Sequence, residues 1–176
     1  VPLGVAAARW RALEQPVLVV TGLVQTIPSL ALLALLIPLT GTIGAWPALI
    51  ALVLYALLPI TRNTHAGIVQ VSRGLIQAGT ALGLTDRQQL RHIEIPLALP
   101  TLMAGVKTSA VINVGTATIA AFIGAGGFGE RISQGLALND HAVLVAGALP
   151  AAALALVVHA LFEWLERAVR PGYTSA

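Results

Sequence analysis

The stretch Gln77-Ala-Gly-Thr-Ala-Leu-Gly83-Leu-Thr-Asp-Arg-Gln-Gln-Leu-Arg-His-Ile-Glu-Ile-Pro96 is a polar island in a strongly apolar chain. Of the 176 residues, 57% are hydrophobic and only 10% are charged. A soluble domain carries about 25% charged residues, so this composition predicts an integral membrane protein. The chain has no cysteine, which excludes disulfides and thiolate metal sites.

Long apolar runs lie on both sides of this stretch, and a spanning helix needs about 20 mostly apolar residues. Residues 1–8 form an apolar fragment, which we interpret as the cytoplasmic end of a truncated helix. Four further runs follow, at Pro16–Leu39, Trp46–Ile60 (which needs Thr61–Ala66 to reach spanning length), Leu97–Ile123 and Ala142–Leu165. The sequence therefore predicts an all-α polytopic membrane helix bundle with about five transmembrane helices, the first of them truncated.

Arginines gather on one side of the predicted bundle. If the segments alternate from residues 1–8 onward, Arg131 lies alone on one side. The arginines on the other side are Arg9, Arg11, Arg62, Arg73, Arg87, Arg91, Arg167 and Arg170. Loops rich in Lys and Arg stay in the cytoplasm, so we expect the quoted stretch and the C-terminus to be cytoplasmic. These scattered charges form no basic stripe, and no nucleic-acid partner is expected.

The quoted stretch itself predicts two short helices separated by a glycine. Apolar residues recur with helical spacing ahead of Gly83, which suits a helix C-terminus that needs a left-handed backbone. Thr85 and Gln88 then form a capping-box pattern for a second helix, which we expect Pro96 to end. We expect residues 61–96 to form a compact knob on the cytoplasmic face.

This stretch resembles the EAA loop of ABC-transporter permeases, whose pattern is E-A-A, three residues, Gly, nine residues and I-x-L-P. The spacing is kept, although Gln77 replaces the leading Glu, Gly79 the second Ala and Ile95 the Leu before proline. In that family the loop docks into a groove on the ATPase subunit. The resemblance implies a coupling role for Gln77, Ala78, Gly79, Gly83, Ile93 and Pro96. It also implies a single type I permease domain over residues 1–176, without enzymatic activity of its own.

Three further segments resemble permeases that import osmoprotectants such as glycine betaine, choline, carnitine and proline betaine. They begin at Gln25-Thr-Ile-Pro-Ser, at Ala48-Leu-Ile-Ala-Leu and at Gly115-Thr-Ala-Thr. The resemblance implies a bacterial cell-membrane importer, in which a second permease subunit, identical or paralogous, completes the path. It further implies an ATPase pair that holds ATP and Mg, an extracytoplasmic substrate-binding protein and contact with membrane lipid.

Polar residues inside the predicted spans are candidates for the translocation path. They are Gln25, Thr26 and Ser29 around Pro28, and Asn113, Thr116 and Thr118 in the third complete span. Polar groups at membrane depth usually face the bundle or a water-filled route, so we expect these two groups to lie near each other. Hydrogen bonding between helices explains the first group equally well. Trp46 and Tyr55 could add aromatic faces for a quaternary ammonium, although a Trp at the outer interface is also ordinary belt chemistry.

Other functions find less support in the sequence. Gly124, Gly126 and Gly129 match the spacing of a dinucleotide motif, but they end a predicted span, so we interpret them as an external turn. The histidines show no metal-ligand spacing, and we expect no metal or cofactor in this chain. Lys107 is expected to snorkel to the cytoplasmic surface, with a position inside the bundle as the alternative, and Glu166 is expected to be solvated. A methionine importer, a non-transporting scaffold and an intramembrane enzyme are the alternatives.

Overall fold

A computed structural model describes residues 1–169, which are almost entirely helical and contain no β-strand. The all-α prediction is therefore confirmed. Arg170, which the sequence places on the cytoplasmic side, and the C-terminus lie outside the described residues. In chain order the helices are α1 (Pro2–Arg9), α2 (Arg11–Thr26), α3 (Ser29–Thr40), α4 (Ala45–Val69), α5 (Arg73–Ala81), α6 (Asp86–Gln89), α7 (Ile95–Ile119), α8 (Phe128–Leu138) and α9 (His141–Val169). A π-helical turn, Leu90–Glu94, joins α6 to α7, and a 3-10 turn, Ala120–Ile123, extends α7.

Three of the described helices are long and apolar enough to cross a membrane, namely Ala45–Val69, Asp86–Ile123 and His141–Ala168. They contain the last three predicted spans. Because α4 continues to Val69, the connection between α4 and α7 is shorter than the predicted 61–96 and runs over residues 70–94.

The first complete predicted span, Pro16–Leu39, is not one straight helix. It is divided into α2 and α3, which are bent by 100° at the break. Pro28 disfavours a helical conformation at the residue before it, and Ile27 is accordingly extended, with φ −69° and ψ 125°. The Tyr55 hydroxyl donates a hydrogen bond to the carbonyl oxygen of Ile27. Tyr55 thus stabilises the bend, where an unpaired carbonyl would be costly in an apolar environment.

The core lies where α3 meets α4 and the end of α7. Its buried members are Leu32, Leu33, Leu36, Ala48, Ala51, Tyr55 and Ala120. Deeper in the bundle, α4 and α7 approach closely because Gly105 has no side chain. A Cβ atom there would lie 2.6 Å from the Cβ atom of Asn63 and 2.7 Å from the carbonyl oxygen of Pro59.

The connection between α7 and α9 contains a helix that the sequence does not predict. Gly124, Gly126 and Gly127 have positive φ values of 76°, 82° and 84° and form a turn. Gly129, which the sequence assigns to this turn, lies in α8 instead. The chain then continues into α8, which packs across the end of α7. A Cβ atom at Gly129 would lie 1.9 Å from the carbonyl oxygen of Thr118, so only glycine fits at this contact.

Candidate coupling segment and translocation cavity

The connection between α4 and α7, residues 70–94, is called the coupling segment below. Its first helix, α5, begins after Ser72, whose hydroxyl accepts a hydrogen bond from the Leu75 N–H at 3.3 Å. The helix ends just before Gly83, where φ is +79°. This left-handed conformation favours glycine, as the sequence predicts, and it turns the chain back toward the bundle.

The second helix begins with the predicted capping box. The Gln88 carboxamide oxygen accepts from the Thr85 N–H at 2.8 Å, and the Thr85 hydroxyl oxygen accepts from the Gln88 N–H at 3.4 Å. These reciprocal bonds satisfy two donors that a helix N-terminus leaves unpaired. The start of α6 is therefore encoded locally.

Pro96 does not end this helix, contrary to the sequence-based expectation. The chain continues from α6 through the π-helical turn into α7, and Pro96 lies in the first turn of α7. In the π-helical turn the Ile95 N–H bonds to the carbonyl oxygen of Leu90, five residues back instead of four. An expanded turn of this kind lets the helix pass a residue that has no N–H to donate. The coupling segment is thus joined rigidly to a spanning helix.

The two halves of the coupling segment pack tightly against each other. A Cβ atom at Gly79 would lie 2.9 Å from Cδ1 of Ile93, so the small residue permits the contact. The buried Gln89 side chain donates to the Thr80 hydroxyl at 3.0 Å and to the Leu84 carbonyl at 3.2 Å. Sequence reasoning missed Gln89, which looks like one more surface polar residue in a polar stretch.

The outer surface of α5 is partly apolar and uncovered. Leu82 is 82% exposed, and Leu75 is also exposed. Among the predicted coupling residues, the exposed ones are Gln77, Ala78, Gly83 and Pro96, whereas Gly79 is buried and Ile93 is half-buried. Exposed leucines on a protruding helix are suited to bind a groove on another protein.

An ion pair ties the coupling segment to the end of α1. Arg9 donates to the carbonyl oxygen of Asp86 at 2.8 Å, and its guanidinium lies 3.1 Å from Oε1 of Glu94. Glu94 is only 6% exposed, and its other carboxylate oxygen has no hydrogen-bond partner among the described residues. The sequence does not reveal this pair, because two predicted spans lie between Arg9 and Glu94 and no local pattern connects them.

A cavity of about 510 Å³ lies at the other end of the bundle. Its walls come from the start of α4, the second half of α7, the glycine-rich turn and α9. Asn113 and Thr118 line it, as does Phe128. Thr118 donates to the carbonyl oxygen of Gly115 at 2.7 Å, whereas Oδ1 of Asn113 is buried without a hydrogen-bond partner.

The other predicted path residues do not line this cavity. Thr116 is buried and donates to the Ile112 carbonyl of its own helix at 3.2 Å. Gln25 and Ser29 are half-buried on either side of the α2–α3 break, and the exposed Thr26 donates to Leu23 at 2.7 Å. Within one chain the two predicted groups of path residues therefore do not share one cavity. Their role in translocation stays a prediction.

Lys107 forms an ion pair with α9 near the described end of that helix, and its snorkelling to the cytoplasmic surface stays a prediction. Its Nζ lies 2.8 Å from Oε2 of Glu166 on α9, and the two side chains are 23% and 12% exposed. The expectation of a solvated Glu166 is therefore wrong, because α7 and α9 cross where these side chains can meet. Pairing is what makes charges tolerable at such a position.

In residues 1–169 no group of three or more His, Cys, Asp or Glu side chains could hold a metal ion.

Residues 1–171 match the family described as "Binding-protein-dependent transport system inner membrane component". The chain belongs to this family. It is accordingly a multi-pass inner-membrane protein and a transport permease, as the resemblance implied.

Family relatives include permease subunits named for the solutes that they transport. The chain is 45% identical to the "Glycine betaine/carnitine/choline transport system permease protein OpuCD" of Bacillus subtilis (strain 168), covering 97% of this chain and 75% of the relative. It is also 45% identical to the "Osmoprotectant import permease protein OsmW" of Salmonella typhimurium, covering 97% of this chain and 81% of the relative. Among solved structures, the MetNI methionine ABC transporter in an inward-facing conformation matches with a TM-score of 0.86 and 26% identity, over 97% of this chain and 85% of the matched chain. The type I importer fold is thereby established.

Proposed function

We propose that this chain is the membrane-spanning subunit of an ABC importer for osmoprotectants, with glycine betaine, choline, carnitine and proline betaine as the substrate class. The observation that carries the proposal is the 45% identity, over 97% of this chain, to permeases named for glycine betaine, carnitine and choline. The methionine transporter, at 26% identity, supports the fold more than the substrate.

The coupling segment supplies the contact with an ATPase pair that binds ATP and Mg. Its exposed Leu75 and Leu82 enter a groove of the ATPase, and Gln77, Ala78 and Gly83 lie beside them. Because the segment continues without interruption into α7, a push on α5 and α6 moves the spanning helix. ATP hydrolysis thereby changes the side of the membrane to which the path opens.

A second permease subunit, identical or paralogous, completes the path, and the lipid bilayer surrounds the pair. Exposed apolar residues on α4 and α9, such as Val53 and Leu156, suit these apolar surroundings. The concentration of arginines on one side of the bundle supports a cytoplasmic C-terminus, because loops rich in Lys and Arg stay in the cytoplasm. A substrate-binding protein delivers solute to the exposed face of α8, which carries Glu130, Arg131 and Gln134.

Uptake of labelled glycine betaine at high osmolarity tests the proposal. The host lacks its other osmolyte importers and expresses this chain with the ATPase and binding protein encoded beside it. We expect ATP-dependent uptake that choline or carnitine inhibits and methionine does not. Inhibition by methionine alone would reassign the substrate within the importer class. A stable, assembled complex that transports no solute from either group would favour the non-transporting scaffold.

A further inference from the structure

The cavity described above has the chemistry of a binding site for a methylated ammonium ion. It measures about 510 Å³, which lies within the range of about 300–1,000 Å³ typical of small-molecule pockets. The walls are formed mainly by small apolar residues, including Ala45, Ala48, Ala110, Ala117 and Ala151. Such walls accept methyl groups without demanding hydrogen bonds, which a quaternary ammonium cannot donate.

The described part of the cavity wall carries no charge. None of the described residues that line it carries an ionisable side chain. A carboxylate there would hold a cation too tightly for transport, since a conducting site must bind weakly enough to release. Phe128 supplies an aromatic ring instead, and the negative face of such a ring attracts a cation moderately.

Among the described residues of the wall, Asn113 is the polar side chain whose oxygen has no hydrogen-bond partner. Thr118 is satisfied by the Gly115 carbonyl, but Oδ1 of Asn113 is buried without a hydrogen-bond partner. Buried amides are almost always hydrogen-bonded, so an exception requires an explanation. An amide held by no partner can rotate about its last bond, and it then presents either its oxygen or its nitrogen to a ligand.

The geometry points to a transient substrate site in which the methylated ammonium group lies among the alanines and Phe128, while Asn113 binds the other end of the solute. The Asn113 amide accepts from the hydroxyl of choline or carnitine and donates to the carboxylate of glycine betaine or carnitine. One residue therefore serves solutes whose polar ends differ. This inference rests on the proposed function and adds a site and its residues to it.

The test compares transport by the complete complex, reconstituted in vesicles with its ATPase and binding protein. Asn113→Leu keeps the approximate size and removes both polar atoms. We expect choline and glycine betaine transported per ATP to fall about tenfold, the scale of one hydrogen bond. ATP hydrolysis stimulated by the loaded binding protein should persist, because the coupling segment is untouched. Thr108→Val is the matched control, since the exposed Thr108 bonds only to Ala104 of its own helix.

Phe128→Leu and Phe128→Tyr provide a second measurement that does not depend on the folding of the Asn113 variant. We expect the leucine variant to lose transport of both solutes and the tyrosine variant to retain it, because tyrosine keeps the ring. If the wild-type complex transports both solutes and either Asn113→Leu or Phe128→Leu transports them at the wild-type rate, the proposed site is wrong. A wild-type complex that transports no methylated ammonium would instead refute the proposed function, so the two failures are distinguishable.

Discussion

Gly83 is the residue at which one backbone angle decides the shape of the coupling segment. Its φ of +79° is accessible to glycine at little cost, and a Cβ atom there would meet nothing within 4 Å. The requirement is therefore conformational and not steric. Sequence alone revealed this residue, because a glycine directly after an amphipathic run is a strong helix-end signal.

Gly83→Val should impair transport while the protein still inserts in the membrane. A β-branched residue in the left-handed region costs about 1–2 kcal/mol, and the strain is relieved by displacing α5. Uptake by the reconstituted complex measures the effect. Gly83→Asn is the control, because asparagine tolerates this conformation, and it should transport nearly as wild type does. If Gly83→Val transports solute as well as Gly83→Asn and the wild type do, the left-handed backbone angle at residue 83 is not important for transport.

At the scale of elements, contacts between helices explain most of what the sequence could not predict. The capping box of α6 and the end of α5 are local, so their residues could be identified directly. Long-range contacts leave no such pattern. The hydrogen bonds of Gln89, the Tyr55 contact with Ile27, and the docking of α8 on α7 all depend on residues distant in the chain or in separate elements.

The docking of α8 on α7 predicts a large effect of a small substitution. Gly129→Ala would place a methyl group 1.9 Å from the Thr118 carbonyl oxygen, so the two helices must separate. Overpacking of this kind costs about 1–3 kcal/mol, and the melting temperature in detergent should fall. Gly115→Ala is the control, because its methyl group meets nothing within 4 Å and alanine favours a helix. It should leave the melting temperature unchanged or slightly raised.

The ion pair between Arg9 and Glu94 predicts a specific loss of coupling. It joins the end of α1 to the coupling segment, so we expect a displacement of the segment to be transmitted to α1 as well as to α7. Glu94→Gln keeps the shape and removes the charge. We expect solute transported per ATP to fall about fivefold or more, on the scale of typical coupling between sites, while ATP hydrolysis continues.

The matched control for that variant is Glu14→Gln. Glu14 pairs with His65 at 3.4 Å but is 38% exposed, and exposed pairs contribute little. The control should transport and hydrolyse ATP as the wild type does. If Glu94→Gln keeps the wild-type ratio of transport to hydrolysis, the ion pair has only a structural role.

At the scale of the whole molecule, composition predicts the membrane-spanning architecture more directly than local motifs do. Apolar runs identify three spanning helices, because burial in lipid requires a long apolar stretch. The helices extend beyond the predicted runs, most of all at residues 86–96 and 61–69, where polar residues continue the helix. The 100° bend at Pro28 was not predicted as such, since a proline kinks or breaks a helix to a degree set by its neighbours. The cavity could not be foreseen from sequence either, although Asn113 and Thr118 were identified as polar residues inside a span.

Orientation in the membrane is the whole-molecule property that the arginine distribution predicts, and the chain is well suited to test it because it has no cysteine. Gln77→Cys, on the exposed face of α5, and Gln134→Cys, on the exposed face of α8, lie at opposite ends of the bundle. In intact cells a membrane-impermeant thiol reagent should label Gln134→Cys and leave Gln77→Cys unlabelled until the cells are opened. The reverse pattern would place the coupling segment outside the cell, where no ATPase could reach it, and would refute the coupling role along with the orientation.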